Sequence, residues 1–298
     1  AAYDADFAVG IAAASSTIGP IIPPSLPMVI YGVLASASVG KLFAAGLIPG
    51  LLMAVSLMIM IAIIARRRAY PIDAQFKIRN LIHRSKGAFL SLMTPVIVVG
   101  GIVTGILTPT EAAIAAAAYA LILGLFVYRT LTLKRLVWVS MKSIETTAVV
   151  LFVVAAASIF AWLLTSNGVA DNLANAISSV TDTRFGFTMI LLLILLAVGC
   201  FMETIAAMTI LVPVLLPIAL QYGYDPTHFG VLMVLTLMIS LLTPPVGVVL
   251  YVLSSISGLS FERCVSATMP FMIPLLIVLL MVAFIPEITM WLPNLIYP

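Results

Sequence analysis

Charge is scarce in this chain. Of its 298 residues, 8% are charged and 63% hydrophobic, and the mean hydropathy is +1.25. Soluble domains carry about 25% charged residues, so a water-soluble globule is excluded. Histidine and cysteine are nearly absent, at two each. There is no His-Glu-x-x-His pair; His83 lies in a basic loop and His228 near a helix start. A zinc-protease ligand set is therefore missing. The acids at membrane depth form no evident catalytic pair, which speaks against an intramembrane enzyme. Cys200 and Cys264 sit in apolar surroundings and read as small buried thiols rather than a disulfide or a metal site. The net charge of +3 implies no nucleic-acid partner, because the location of the basic residues explains it.

What the chain does have is long apolar runs. Residues 42–65, 88–110, 146–170 and 264–286 carry no charge. Each exceeds the ~18 residues that mark a membrane-helix candidate. Barrel strands would alternate in polarity, and these runs do not. The fold class is an all-α polytopic membrane protein embedded in a lipid bilayer.

One pattern occurs twice, 221 residues apart. Tyr3-Asp4, Pro23-Pro24, Ser36 and Pro49 recur as Tyr224-Asp225, Pro244-Pro245, Ser257 and Pro270. Each Pro-Pro sits in the middle of a charge-free stretch, 7–40 or 226–261. A membrane helix broken halfway, once in each half of a chain, is the best sequence pointer to a transporter's binding site. The helix breaks are Pro20, Pro23 and Pro24 in the first copy and Pro244 and Pro245 in the second.

Basic residues set orientation. The segments 66–86 and 129–142 hold 11 of the 14 Lys and Arg and read as two cytoplasmic loops. Between them, 88–107 and 110–128 form two crossings. At their junction Thr108-Pro109-Thr110-Glu111 spells a capping box with Pro at the first helical position. By alternation 4–40 runs outward, 42–65 returns, 146–166 runs outward, and 171–184 is an outer connection, read as an amphipathic helix. Residues 226–258 run inward and 264–292 end outside, near Trp291 and Tyr297. The two broken helices are then antiparallel, an inverted repeat. Residues 186–222 form two arms meeting at Gly199 to Thr204. A re-entrant hairpin is preferred over two full crossings, because the polar cluster lies at the junction and Pro213 and Pro217 interrupt the second arm. The chain opens at Ala1 without Met and meets its first broken helix at once, so an N-terminal part is expected upstream.

Proline has no N–H and clashes with the carbonyl four residues earlier. Pro23 thus frees the carbonyl of Gly19, Pro244 that of Ser240, Pro20 that of Ser16, and Pro24 that of Pro20. An unpaired carbonyl in a membrane costs several kcal/mol. A dehydrated alkali cation is a suitable partner, and unwound carbonyls coordinate Na⁺ in transporters. Carbonyls of Ile22, Thr243, Val246 and Gly199 and the hydroxyls of Ser25 and Thr243 are further candidates. Ser16, Thr17 and Thr204 are candidate substrate hydroxyls. Glu203 is the lone acid at the arm junction, and reads equally as functional or as a hairpin-tip surface residue.

The segment Ala13-Ala14-Ser15-Ser16-Thr17-Ile18-Gly19-Pro20-Ile21-Ile22-Pro23-Pro24-Ser25 resembles the signature of the large membrane subunit of TRAP (tripartite ATP-independent periplasmic) transporters. So do Thr108-Pro109-Thr110-Glu111-Ala112-Ala113 and Leu241-Leu242-Thr243-Pro244-Pro245-Val246-Gly247. The resemblance covers essentially the whole chain. It implies the C-terminal two-thirds of such a subunit and a Na⁺-driven elevator in the bacterial inner membrane. It implies import of a small organic acid, such as a C4-dicarboxylate, sialic acid or another sugar acid. The implied partners are a periplasmic substrate-binding protein and a small four-helix membrane subunit. The implied sodium sites fall at Gly19, Ile22 and Ser25 and at Gly199, Ser240, Thr243 and Val246. By the same analogy 1–40 and 171–260, with hairpin 186–222, form the transport domain. Residues 41–128 and 261–298 form scaffold, and 129–170 arm helices. Many members carry Gly where this chain has Ser240. The alternative is a stand-alone Na⁺/carboxylate symporter of the divalent-anion type, needing no binding protein.

Overall fold

The computed structural model describes residues 3–70 and 78–297. Within them every regular element is a helix. The elements are α1 (Ala5–Ser16), α2 (Leu26–Leu34), α3 (Val39–Arg67), α4 (Ile78–Val103), α5 (Pro109–Ile122), α6 (Leu133–Ser166), α7 (Val169–Val180), α8 (Arg184–Phe201), α9 (Thr204–Gln221), α10 (Pro226–Ser240), α11 (Val248–Ser257), α12 (Phe261–Phe284) and α13 (Glu287–Ile296). A π-helical turn, Leu123–Val127, extends α5. Among the described residues six helices are long and apolar enough to cross a membrane.

Side-chain caps place the helix starts. Ser25, Ser38, Thr183 and Ser260 each accept a backbone N–H from the first turn of the helix that follows. Asp225 accepts two, from Thr227 and His228. Such caps are worth about 0.5–2 kcal/mol each. The expected capping box at Thr108 is complete. Glu111 N–H reaches the Thr108 hydroxyl at 3.3 Å, and Thr108 N–H reaches the Glu111 carboxylate at 2.7 Å.

Residues 1–70 and 153–298 form one compact unit, and 71–152 a second. In the first, α10 is the central helix, with every residue from Thr227 to Ser240 buried. A helix apolar on all sides belongs in a core, and α3, α8, α9 and α12 pack around this one. The two broken helices, α1–α2 and α10–α11, lie side by side in opposite directions. The start of one meets the end of the other: α1 packs on α11, and α2 on α10. The Tyr31 hydroxyl, near the end of α2, donates to the Pro226 carbonyl at the start of α10 (2.6 Å). Asp6, at the start of α1, pairs with Arg263 just beyond α11 at 3.4 Å. Asp4 takes bonds from Arg68 (3.2 Å) and from the Tyr70 hydroxyl (2.6 Å). These contacts join only ends that the charge pattern assigns to the same side of the membrane. Leu51, Val55, Met58, Ile59 and Ile63 of α3 are exposed, an apolar stripe suited to lipid.

The second unit pairs α4 with α5. The Tyr119 hydroxyl donates to the Leu90 carbonyl (2.9 Å), and the hydroxyls of Ser91 and Tyr128 lie 3.1 Å apart.

Several expectations need correction. Only residues 129–132 of the basic segment 129–142 are a loop, because α6 starts at Leu133 and runs unbroken through Lys134, Arg135 and Lys142. Long cationic side chains can keep their charged ends in water while their stems lie on apolar surface, so charge alone does not mark a helix end. Likewise α4 begins at Ile78, inside the segment 66–86; Asp73 and Lys77 lie outside the described residues. Pro213 and Pro217 do not interrupt the second arm, since α9 runs through both, as membrane helices tolerate. The outer connection is indeed helical (α7) and packs on α9. Helices α3 and α12, expected as scaffold, pack on each other and on α1 and α10.

Candidate functional site

Both breaks occur where the repeat places them. In the first, the helical ladder ends at Ser16 and resumes at Leu26. In the second it ends at Ser240 and resumes at Val248. The Pro23-Pro24 and Pro244-Pro245 peptide bonds are both cis.

Not all of the freed carbonyls stay free. Ser25 does two jobs: its hydroxyl donates to the Pro20 carbonyl and accepts from Met28 N–H at 3.2 Å. The Ser240 carbonyl accepts from Thr243 N–H at 2.9 Å. Among the described residues no backbone N–H bonds the carbonyls of Gly19, Ile22, Thr243 or Val246. The Thr243 hydroxyl makes only a long contact, 3.5 Å, to the Ile239 carbonyl. These are hard oxygens in an apolar setting, the donor type an alkali cation takes.

The tip between α8 and α9 is fixed to the second break. Gly247 N–H donates to the Cys200 carbonyl at 3.3 Å. Gly199 lies directly against Ser240, and a Cβ on Gly199 would sit 1.8 Å from the Ser240 hydroxyl oxygen. Only glycine permits that approach. The structure thus brings Gly199, Ser240, Thr243 and Val246 into one neighbourhood and Gly19, Ile22 and Ser25 into another. Cys200 and Cys264 are buried free thiols.

Glu203 caps α9, accepting from the N–H groups of Ile205 (2.9 Å) and Ala206 (3.2 Å). Its own carboxylate therefore occupies that helix N-terminus. Ser25 caps α2 in the same way, whereas α11 starts at Gly247 with no side-chain cap. Of the three half-helix starts at the breaks and the tip, only that of α11 lacks a protein cap.

The candidate substrate hydroxyls differ in what they can still do. Ser16 is exposed and donates to the Ala13 carbonyl at 2.7 Å. Thr17 is buried and donates to the Ala14 carbonyl at 2.7 Å. Both keep lone pairs but have spent their hydrogens on the helix. Thr204 is 1% exposed, and its hydroxyl has no partner among the described residues. A buried hydroxyl without a partner is costly, so Thr204 stands out.

Sequence reasoning passed over two more buried polar atoms without partners, Asp6 Oδ1 and His228 Nε2. The repeat offset held a signal for the second. His228 occupies the place of Phe7, and Thr289, its hydrogen-bond partner, the place of Arg68, whose guanidinium lies 5.8 Å from the Phe7 ring centroid.

Comparison with known proteins agrees with this architecture. Residues 1–288 match the family model described as "Tripartite ATP-independent periplasmic transporter, DctM component". The chain is 43% identical to the sialic acid TRAP transporter large permease protein of Vibrio cholerae, over 99% of this chain and 69% of that protein. It is 38% identical to the sialic acid TRAP transporter permease protein of Haemophilus influenzae, over 100% of this chain and 48% of that one. It is 38% identical to the C4-dicarboxylate TRAP transporter large permease protein of Pseudomonas aeruginosa, over 98% and 68% respectively. The chain thus spans about half to about two thirds of the length of these relatives. Its apolar helices and this kinship make it a multi-pass membrane protein, in bacteria one of the inner membrane. The chain belongs to the DctM family, the large membrane permeases of tripartite ATP-independent periplasmic transporters.

Proposed function

We propose that this chain forms the substrate-carrying part of a Na⁺-coupled importer for a small organic acid. A periplasmic binding protein delivers the acid, and a small four-helix membrane subunit completes the permease. The observation that carries this reading is the antiparallel pair of broken helices with a hairpin tip held against the second break. A protein with a purely structural role gains nothing from interrupted hydrogen bonding inside a bilayer. Relatives named for sialic acid, C4-dicarboxylate and isethionate transport support the substrate class.

Sodium enters here as cargo. On this reading Gly19, Ile22 and Ser25 contribute to the site of one ion, which a hairpin upstream of this chain completes, and Gly199, Ser240, Thr243 and Val246 hold another. The substrate's carboxylate needs donors, and two are at hand: the Thr204 hydroxyl and the uncapped start of α11. Ser16 and Thr17 offer lone pairs and so suit hydroxyl groups of the substrate. The arms α8 and α9 are read as a re-entrant hairpin, which the contact of their tip with the second break supports. Movement is of the elevator type: 1–40 and 171–260 carry the site past a scaffold of 41–128 and 261–298, with 129–170 as arm helices.

The test is uptake by the full-length permease with its small subunit in proteoliposomes. Sialic acid and a C4-dicarboxylate would be supplied with and without a cognate binding protein and an inward Na⁺ gradient. Uptake that needs both the gradient and the binding protein is the expected result. Uptake with Na⁺ alone would favour the stand-alone symporter.

A further inference from the structure

Helix α6 presents a groove apart from the proposed sodium and substrate residues. Trp138, Lys142 and Thr146 form one ridge at i, i+4, i+8 spacing, and Val139, Ser143 and Thr147 the next; the groove is lined by these six. Trp138 and Lys142 are both largely exposed. Four cations, Arg129, Lys134, Arg135 and Lys142, cluster here against one acid, Glu145. Directly after that acid the charge-free run 146–166 begins. That run makes ~32 Å of helix, which matches the ~30 Å hydrocarbon core. The groove therefore lies at the depth of lipid headgroups, on the side that the charge bias assigns to the cytoplasm.

We propose that this groove binds the headgroup of an anionic phospholipid. Basic clusters immediately beside a membrane segment attract anionic lipids, and an interfacial tryptophan anchors at headgroup level. The side-chain chemistry fits a phosphate. Lys142 gives one N–H to Glu145 at 2.8 Å and, having three donors, keeps two. The Thr146 hydroxyl is spent on the Lys142 carbonyl at 2.9 Å, so Ser143 and Thr147 are the hydroxyls that turn to a ligand. Arg135 is braced by the Thr130 carbonyl at 3.1 Å, and Lys134 is exposed beside it. Beyond the groove, Val149, Leu151 and Phe152 are exposed and offer a path for an acyl chain. A protein helix is a poorer occupant, because it would bury the Lys142–Glu145 pair and desolvate both charges.

The experiment is native mass spectrometry of the full-length permease with its membrane subunit. The delipidated complex is titrated with phosphatidylglycerol and with phosphatidylcholine. Wild type should retain phosphatidylglycerol preferentially. The variant K134Q/R135Q/K142Q should lose about two orders of magnitude in affinity for it, whereas Lys142→Arg should keep it. Ser143→Trp fills the groove without changing charge and should also displace the lipid, which covers the case in which the triple variant fails to fold. Equal retention by both the triple and Ser143→Trp variants, or equal binding of phosphatidylcholine, would overturn the proposal. So would a Ser143→Cys cross-link to the small subunit at full occupancy.

Discussion

His228 Nδ1 lies 2.7 Å from the hydroxyl of Thr289, and that hydroxyl itself donates to the Pro286 carbonyl at 2.8 Å. Thr289 can therefore only accept from the ring, which places the histidine's hydrogen on Nδ1. Both residues are essentially inaccessible, so the pair pins the start of α10 to α13. Thr289→Val should strand the ring N–H and lower stability by about 1–3 kcal/mol. The double variant H228F/T289V should cost less than the two single changes added together, because removing both partners leaves no orphan. Thermal unfolding in detergent across the four proteins measures the coupling. Strict additivity would mean that the bond contributes nothing.

Gly199→Ala should abolish uptake and lower the melting temperature, since its Cβ would overlap the Ser240 hydroxyl. Adding Ser240→Gly should restore part of both, leaving Leu237 Cδ2 as the nearest remaining atom at 3.1 Å. That atom ends a flexible side chain and can yield. If Ser240→Gly brings no rescue, the clash is not the cause.

Two hydroxyls of the proposed sodium sites separate cleanly. Ser25 also caps α2, so Ser25→Ala should lower both stability, by about 1 kcal/mol, and apparent Na⁺ affinity. Thr243 has only a long contact within the protein. Thr243→Ala should therefore raise the Na⁺ concentration for half-maximal uptake while leaving the melting temperature nearly unchanged. An unaltered Na⁺ response would remove the Thr243 side chain from the site.

Thr204→Val is a third kind of test. Its buried hydroxyl lacks a protein partner, so an isosteric apolar side chain should not destabilise the ligand-free protein, and should raise its melting temperature slightly. Substrate uptake should fall at the same time. A drop in ligand-free stability would instead assign Thr204 a structural role.

The interrupted helices were legible because Pro-Pro at a fixed offset breaks the helical ladder by local chemistry alone. The Thr108–Glu111 cap was legible for the same reason. What escaped was set by neighbours. Charge marked 129–142 as a loop, yet the loop ends at Thr132, and Lys134, Arg135 and Lys142 ride on a continuous helix. Pro213 and Pro217 looked like breakers, yet α9 runs through them. The Ser240 carbonyl was identified as freed, but a turn closed by Thr243 N–H takes it up. Glu203 could not be assigned until the first turn of α9 was seen wrapped around its carboxylate. Nothing in the run of residues revealed that α3 and α12 pack with the broken helices.

The interleaving of the two repeats has a consequence for how the protein is made. Gly10 of α1 is shaped to meet α12, where a Cβ would lie 2.3 Å from the Ala267 carbonyl. Asp6 waits for Arg263, 257 residues later. At a synthesis rate of about 5–20 residues per second, that partner arrives about 13–50 s after α1 leaves the ribosome. During that interval α1 must be sheltered by the insertion machinery or by other helices. Helix α1 therefore depends on α12, and premature termination near α11 would leave α1 without that partner.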